Sequence, residues 1–340
     1  MFFFSKFWQG VMKLSFASVA AITIFLLSIS AGVFFIIEPE TFPTYFEAFW
    51  YTMTTATTVG YGDYFPTTTL GRSFGMLFYI YGILLLTIFI GKIQTSVMQY
   101  KKLREEGKMA YTKNGHYIYI DWTKRTKDAI DEVLASEPEC HIVLIDELVE
   151  KTPYEHSQVH FIAGDPSEED TLLKANILHA KRIAIFSDCS IDSPTLADGK
   201  SLLIATTVES LSEQHTINLH TIVEIMKESN IAKFKHVKVD DFILSNESIS
   251  RLMAKATLHP MSSSIFNQLL GKRYGENLYE IRKKPHWKSY RDAAIDLFDQ
   301  GATLIAVGDN MDVAQRPNDL LTDEDVLYIV TDENGIRKFR

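Results

Sequence analysis

The chain has little cysteine: only Cys140 and Cys189 occur among its 340 residues. Two widely separated cysteines build neither a disulfide scaffold nor a zinc site. An excess of basic residues is also missing, because 34 lysines and arginines stand against 43 aspartates and glutamates, for a net charge of −9. Nucleic acid binding needs a basic surface, so we expect no nucleic acid partner.

Two long stretches of the chain lack charge. The first covers 14–37 and exceeds the roughly 20 residues that a helix needs to cross a bilayer. A secretory signal peptide is the alternative, but its apolar core is shorter and a small-residue cleavage site would follow. The second uncharged stretch covers 73–91. We therefore predict membrane spans at about 14–37 and 73–95.

Charged residues around the spans predict their orientation. The charged residues between the two spans are mostly acidic. Lysine and arginine instead lie before the first span and after the second. The flanking residues are Lys6, Lys13, Lys92, Lys101, Lys102 and Arg104. The positive-inside rule then predicts a multi-pass protein of the cell membrane with both termini in the cytoplasm.

A short helix is predicted between the spans. Thr44 and Glu47 form a capping box directly after Pro43, and the helix should run to about Ala56. Its carbonyl end carries a partial negative charge that favours a cation. We expect the aromatic residues of this helix, 49–51, to form a cuff around the segment that follows.

The segment that follows predicts a potassium pore. Its residues are Thr58, Val59, Gly60, Tyr61 and Gly62. Their carbonyls, with the Thr58 hydroxyl, supply rings of oxygens to a dehydrated K⁺ ion when several chains meet on an axis. Glycines permit backbone turns that a Cβ disfavours. We therefore expect K⁺ as the permeant ion and a homotetramer, with a less selective cation channel as the alternative.

Residues 1–98 resemble the two-helix potassium channels. The resemblance rests on 54–63 with Pro66 and 71–72. It implies a membrane pore with a re-entrant pore helix and filter over 44–63, and a gating hinge at Gly82. Some relatives have a glutamate behind the filter where this chain has Thr54.

The remaining sequence predicts a linker over 99–115 and an α/β domain over 116–255. Apolar strand-like runs alternate with helical patterns, which is typical of a parallel, doubly wound sheet. The runs are 117–120, 141–145, 159–162, 182–186 and 219–223. A small α+β lobe is predicted over 256–340, with a helix near 290–299.

A doubly wound sheet raises the question of a bound nucleotide. The first strand-to-helix turn lacks the Gly-x-Gly-x-x-Gly pattern and has Asp121 in place of the first glycine, so its charge repels phosphate. The other candidate turn residues are Asp146 and Asp165; for Asp146 a solvated carboxylate at a strand end is favoured over a ribose ligand. We identify no catalytic residue, which disfavours an enzyme such as a nucleotide-dependent oxidoreductase.

Residues 164–166 and 173–177 resemble the regulator-of-potassium-conductance (RCK) domain. The resemblance implies a Rossmann-like, TrkA-N-like domain that pairs with another copy and gates the pore when a ligand binds. By position, Asp198 and Glu224 correspond to Ca²⁺ ligands in relatives, although Met226 replaces a further glutamate. A solvated surface charge is the alternative for Asp198. The regulatory ligand is thus Ca²⁺, a nucleotide or another molecule, and related rings of eight domains imply extra soluble copies, for which Met109 is a candidate start.

Overall fold

The computed structural model describes residues 14–271 and 275–339. It divides into two units, residues 14–104 and residues 105–339, which are described separately. Lys6 and Lys13, used above to predict orientation, lie outside the described residues.

The first unit contains three helices. They are α1 (Phe16–Ile37), α2 (Tyr45–Ala56) and α3 (Thr69–Glu105). Both α1 and α3 are long and apolar enough to cross a membrane. The two predicted spans are therefore helical, although α3 starts before the predicted span and extends beyond it.

The predicted capping box of α2 is present. The Thr44 hydroxyl accepts a hydrogen bond from the Glu47 amide, and the Glu47 carboxylate accepts one from the Thr44 amide. The helix ends at Ala56, as predicted. An aromatic cluster around Phe34 packs α2 against α1 and α3, with ring centroids 5.0 Å from Tyr51 and 5.7 Å from Phe78.

The predicted linker differs from the structure. Helix α3 continues to Glu105, and the residues after it belong to the second unit, where they are hydrogen-bonded to later parts of the chain. The Gly107 carbonyl accepts from the Ala163 amide at 3.1 Å, and the Tyr111 amide donates to the Lys174 carbonyl at 2.8 Å. A Cβ on Gly107 would lie 2.3 Å from the Ala163 nitrogen, so this close backbone approach requires glycine. We call residues 107–115 the strap.

The second unit is built on a six-stranded parallel sheet in the order β3-β2-β1-β4-β5-β6. This strand order confirms the predicted doubly wound fold. The strands are β1 (Tyr117–Ile120), β2 (Ile142–Asp146), β3 (Val159–Ala163), β4 (Arg182–Ile185), β5 (His220–Ile225) and β6 (Asp241–Leu244). Strand β6 was not predicted, because it is short and begins with an aspartate.

Helices cover the sheet on both faces. They are α4 (Lys124–Ser136), α5 (Glu169–Lys174) and α6 (Pro194–His215), with 3₁₀ turns at Ile177–His179 and Glu228–His236. Alternate residues of β1 face opposite ways: Ile118 lies in the cluster with Ile204 of α6, and Tyr119 lies in the cluster with Ile130 of α4. Strands buried on both faces explain the continuous apolar runs in the sequence.

Two helices and a small lobe follow the sheet. Helices α7 (Ser245–Leu258) and α8 (Ser262–Leu270) contain no buried residue. The lobe contains β7 (Asn277–Arg282), α9 (Tyr290–Asp299), β8 (Thr303–Val307), β9 (Val326–Thr331) and α10 (Glu333–Ile336). Its antiparallel sheet, in the order β7-β9-β8, packs around the fully buried Trp287 and confirms the predicted α+β lobe.

Candidate selectivity filter and regulatory crevice

The backbone after α2 alternates in hand. Thr58, Gly60 and Gly62 have positive φ angles of 62°, 53° and 78°, whereas Val59 and Tyr61 do not. Alternation of left- and right-handed residues turns successive carbonyls toward one side, as rings of carbonyl ligands require. A left-handed threonine costs roughly 1–2 kcal/mol, so its surroundings must hold it.

The end of α2 holds this segment in place. The Thr54 carbonyl accepts hydrogen bonds from the amides of Val59 at 2.9 Å and Gly60 at 3.1 Å. The buried Thr54 hydroxyl donates back to the Trp50 carbonyl at 3.0 Å. Thr54, at the position where some relatives have a glutamate, therefore supports the segment with its backbone rather than with a carboxylate.

One residue of the predicted aromatic cuff contacts this segment. The Trp50 ring stacks on Tyr61 with centroids 5.8 Å apart, and its Nε1 donates to Asp63 at 2.8 Å. Tyr51 instead packs on Phe34, and Phe49 stacks on Tyr45. Within one chain Phe49 and Tyr51 thus have other neighbours, since a helix turns neighbouring residues to different sides. Their place in a cuff around the filter of an assembled pore stays a prediction.

Gly82 lies in an unbroken part of α3. The residue is buried, and a Cβ there would lie 3.6 Å from the Ala56 Cβ of α2. Its place in the structure is thus a packing contact with the end of the pore helix. The gating hinge at Gly82 remains a prediction.

A buried carboxylate that was not predicted connects the C-terminal end of α1 with the N-terminal end of α3. Glu38 accepts hydrogen bonds from the amides of Thr67 at 3.0 Å and Thr68 at 2.7 Å, and from the hydroxyls of Thr41, Thr67 and Thr68. Burial raises the pKa of Glu38, but these hydrogen bonds outweigh it and lower that pKa to about 2. The signal in the sequence was an acid directly after the first apolar run, together with the threonine pair that precedes α3.

In the second unit, the candidate nucleotide turn is occupied by an ion pair. Asp121 has a positive φ of 67°, so the backbone adopts the turn geometry without glycine. Its carboxylate lies 2.8 Å from the Lys200 Nζ, which also lies 2.9 Å from Asp188. Burial raises the pKa of Asp121 to about 6, and Lys200 acts against it. Burial lowers the pKa of Lys200, but hydrogen bonds to the two aspartates outweigh it and leave that pKa above its ordinary value.

The other two candidate nucleotide residues also have partners within the protein. Asp146 is buried and accepts from the amides of Trp122 at 2.7 Å, Leu148 at 2.8 Å and Val149 at 2.9 Å. The favoured interpretation of Asp146 as a solvated carboxylate is therefore wrong. Asp165 accepts from the amide and hydroxyl of Ser167. The contact with Asp146 uses the Trp122 amide of the first turn, which a phosphate ligand there would need.

The two candidate cation ligands are likewise engaged. Buried Asp198 accepts from the Met226 and Lys227 amides and, at 2.6 Å, from Asn230 Nδ2. The alternative of a solvated charge for Asp198 is therefore wrong.

Glu224 pairs with Arg125 at 2.9 Å and accepts from the Ser187 amide and the Ser245 hydroxyl. Within 14–271 and 275–339, no three His, Cys, Asp or Glu side chains form a group that could hold a metal ion.

Comparison with known proteins gives a family match for each unit of the chain. Residues 22–99 match the family model described as ion channel, and residues 138–238 match the RCK domain of slowpoke-like calcium-activated potassium channels. The protein named "Putative potassium channel protein YugO" of Bacillus subtilis is 28% identical over 86% of this chain and 88% of its own length. This chain is a two-helix potassium channel with an RCK domain. Its matches are channels rather than enzymes.

Two further relatives are longer than the part that this channel matches. The calcium-gated potassium channel TvoK of Thermoplasma volcanium is 32% identical over 64% of the channel and 61% of its own length. The solved GsuK channel superposes with a TM-score of 0.51 at 14% identity, over 94% of the channel and 58% of the GsuK chain. This channel therefore spans less than two thirds of either protein, and the GsuK match concerns the fold alone.

Proposed function

We propose that Thr58, Val59, Gly60, Tyr61 and Gly62 form a K⁺-selective filter in a homotetramer. The alternating backbone, supported by the Thr54 carbonyl, is the observation that carries this proposal. In a single chain Val59 is 54% exposed and Tyr61 is 68% exposed, so the filter has one open side. Four copies around an axis close that side and complete each ring of oxygens.

Substitution of Gly60 tests the filter. A Cβ disfavours the left-handed backbone at φ 53°, so Gly60→Ala should abolish K⁺-selective current in planar bilayers while assembly persists. Gly32→Ala is the matched control, because a Cβ at Gly32 meets nothing within 4 Å and φ there is ordinary. A Gly60→Ala channel with unchanged K⁺ over Na⁺ selectivity contradicts the assignment. Cross-linking in detergent checks for four chains.

The channel lies in the cell membrane with both termini and the RCK domain in the cytoplasm. The ligand-driven movement reaches the pore through α3, because the strap after α3 is docked on β3 and leaves no slack there. A flexible Gly/Ser insert after Lys102 should uncouple opening from the ligand and leave selectivity unchanged. An equally steep ligand response with the insert argues for another route.

The RCK domain binds the ligand that regulates the pore. TvoK is calcium-gated by name, which makes Ca²⁺ the first ligand to test. At Glu224, Ca²⁺ would have to displace Arg125, and at Asp198 it would have to displace three hydrogen-bond donors. We therefore propose that any Ca²⁺ site lies elsewhere. Single-channel recording with Ca²⁺, nucleotides and pH varied on the RCK side identifies the ligand, and Asp198→Asn should leave a Ca²⁺ response intact.

The RCK domains pair through α7 and α8. These helices and the turn between them carry a run of exposed apolar side chains: Ile249, Met253, Leu258, Met261, Ile265, Phe266 and Leu270. Helices of this length are marginal in water without a packed face, so a second copy is the expected cover. Leu258→Glu should weaken association of the full-length protein in cross-linking. Ile295→Glu, at another exposed apolar position, should not.

Eight RCK domains form the ring if four soluble copies are added. A product that starts at Met109 keeps the Tyr111 contact with Lys174 and the Gly115 contact with His179. Immunoblotting should then show a shorter species that Met109→Leu removes. Its persistence in that variant contradicts an internal start at Met109.

A further inference from the structure

The last turns of α2 contact both the proposed filter and helix α3. On one side the Thr54 carbonyl holds the amides of Val59 and Gly60. On another side the same turns meet α3 at two points. The Tyr51 hydroxyl lies 2.9 Å from the Tyr79 hydroxyl, and Ala56 lies opposite Gly82. Tyr79 and Gly82 are three residues apart and therefore share one face of α3.

Packing fixes the Tyr51 ring but not its hydroxyl. Tyr51 is only 4% exposed, with Phe34 at a centroid distance of 5.0 Å and Phe42 at 5.2 Å. The Tyr79 hydroxyl is the partner at the far end of this ring. Gly75 leaves room for it, since a Cβ there would lie 3.3 Å from the Tyr79 oxygen. The chain thus has a small residue where the hydroxyl pair needs space.

We propose that Tyr79 is a positioning residue for the filter and acts through Tyr51 and the end of α2. The inference rests on the proposed filter at 58–62. With the hydroxyl pair intact, α2 is held against α3 at both ends of its last turns, so the Thr54 carbonyl stays aligned with the filter amides. Without it, the last turns of α2 keep only the packing around Phe34 and the contact at Ala56. The Thr54 carbonyl is then held less firmly, so the carbonyl rings lose alignment and bind K⁺ less tightly.

The chain offers a matched control on the same helix. Tyr81 also uses its hydroxyl, but it pairs with Ser30 of α1 instead of with the pore helix. Tyr79→Phe and Tyr81→Phe therefore each remove one hydroxyl and one hydrogen bond between helices. A purely structural role predicts the same behaviour for both variants.

The experiment measures K⁺ binding by the purified full-length protein in detergent. KCl replaces NaCl at constant ionic strength, and the reading is the KCl concentration that gives half of the maximal rise in Tm. Hydrogen bonds between membrane helices predict an increase of about three- to tenfold for Tyr79→Phe and none for Tyr81→Phe. Tyr51→Phe removes the same pair and also the Tyr51 contact with Thr55, so its increase should be at least as large. The double variant should not exceed Tyr51→Phe, because the hydroxyl pair is already lost in it.

Each outcome has one interpretation. Equal shifts in Tyr79→Phe and Tyr81→Phe, no shift in either, or additive shifts in the double variant overturn the positioning role. The K⁺ over Na⁺ permeability ratio in bilayers should fall in Tyr79→Phe and Tyr51→Phe but not in Tyr81→Phe. If the unsubstituted protein shows no greater stabilisation by K⁺ than by Na⁺, the proposed filter itself fails, and the inference fails with it.

Discussion

Gly71→Ala should break the contact between the ends of the two membrane helices. A Cβ at Gly71 would lie 2.0 Å from Glu38 Oε1 and 2.7 Å from the carboxyl carbon, so the carboxylate has to move. It then leaves its hydrogen bonds from the amides of Thr67 and Thr68. A hydrogen bond to a charged group contributes about 1.5–3 kcal/mol, and partial loss of the set should cost about 2–4 kcal/mol of local stability.

Hydrogen exchange measures this local loss directly. The Thr67 and Thr68 amides should lose about 30- to 1,000-fold of their protection in the purified Gly71→Ala protein. Gly32→Ala on α1 is the control, since its Cβ meets nothing within 4 Å. Unchanged protection of both amides in Gly71→Ala would refute the reasoning, because it would mean that the carboxylate either stays in place or contributes nothing.

The same contact has a defined pH dependence. The pKa of Glu38 is about 2 in the folded protein against an ordinary value of 4.5, so its stabilisation is present above pH 4.5 and is lost as the pH falls toward 2. Glu38→Gln should therefore reduce protection of the Thr68 amide by the same factor at pH 8 and pH 5. A difference that disappears between those two values contradicts the low pKa.

Three further predictions concern the RCK domain and the pore. The pKa of the Asp121 carboxyl is raised to about 6 from 3.8, so the folded state binds the carboxyl proton more tightly than the unfolded state does. Lowering the pH from 7 to 5 should therefore raise the free energy of unfolding of the parent protein relative to Asp121→Asn. Denaturant titrations that give an equal difference between the two proteins at both pH values reject this prediction. Because Asp146 occupies the turn amide and Lys200 is paired, we expect calorimetry on the full-length protein to show weak NAD binding or none; micromolar affinity that is lost on changing Asp121 would overturn this. Gly82→Ala places its Cβ at ordinary contact distance from Ala56, so Tm should hold while open probability in single-channel recordings falls; unchanged opening argues against a hinge.

Local patterns in the sequence were enough to predict the elements of both units. The Thr44 and Glu47 capping box predicted the start of the pore helix because both partners lie within one turn. The alternation of strand-like runs with helical patterns predicted a parallel sheet, because each helix carries the chain back to start the next parallel strand. The lobe helix over 290–299 followed from its pattern and from Gly301, whose φ is 82°.

The partners of the buried charges were decided by the tertiary structure. Glu38 finds Thr67 and Thr68 about thirty positions away, and Asp121 finds Lys200 79 positions away. Asp146 resembled a solvated strand end in the sequence, but the fold supplies three amide donors to it.

The prediction of a linker over 99–115 was wrong for the same reason. Only the hydrogen bond of Gly107 with Ala163 of β3 shows that Gly107 belongs to the domain. A carboxylate or a glycine has no periodicity of its own. Its role depends on which distant donors or backbone atoms the packed elements place beside it.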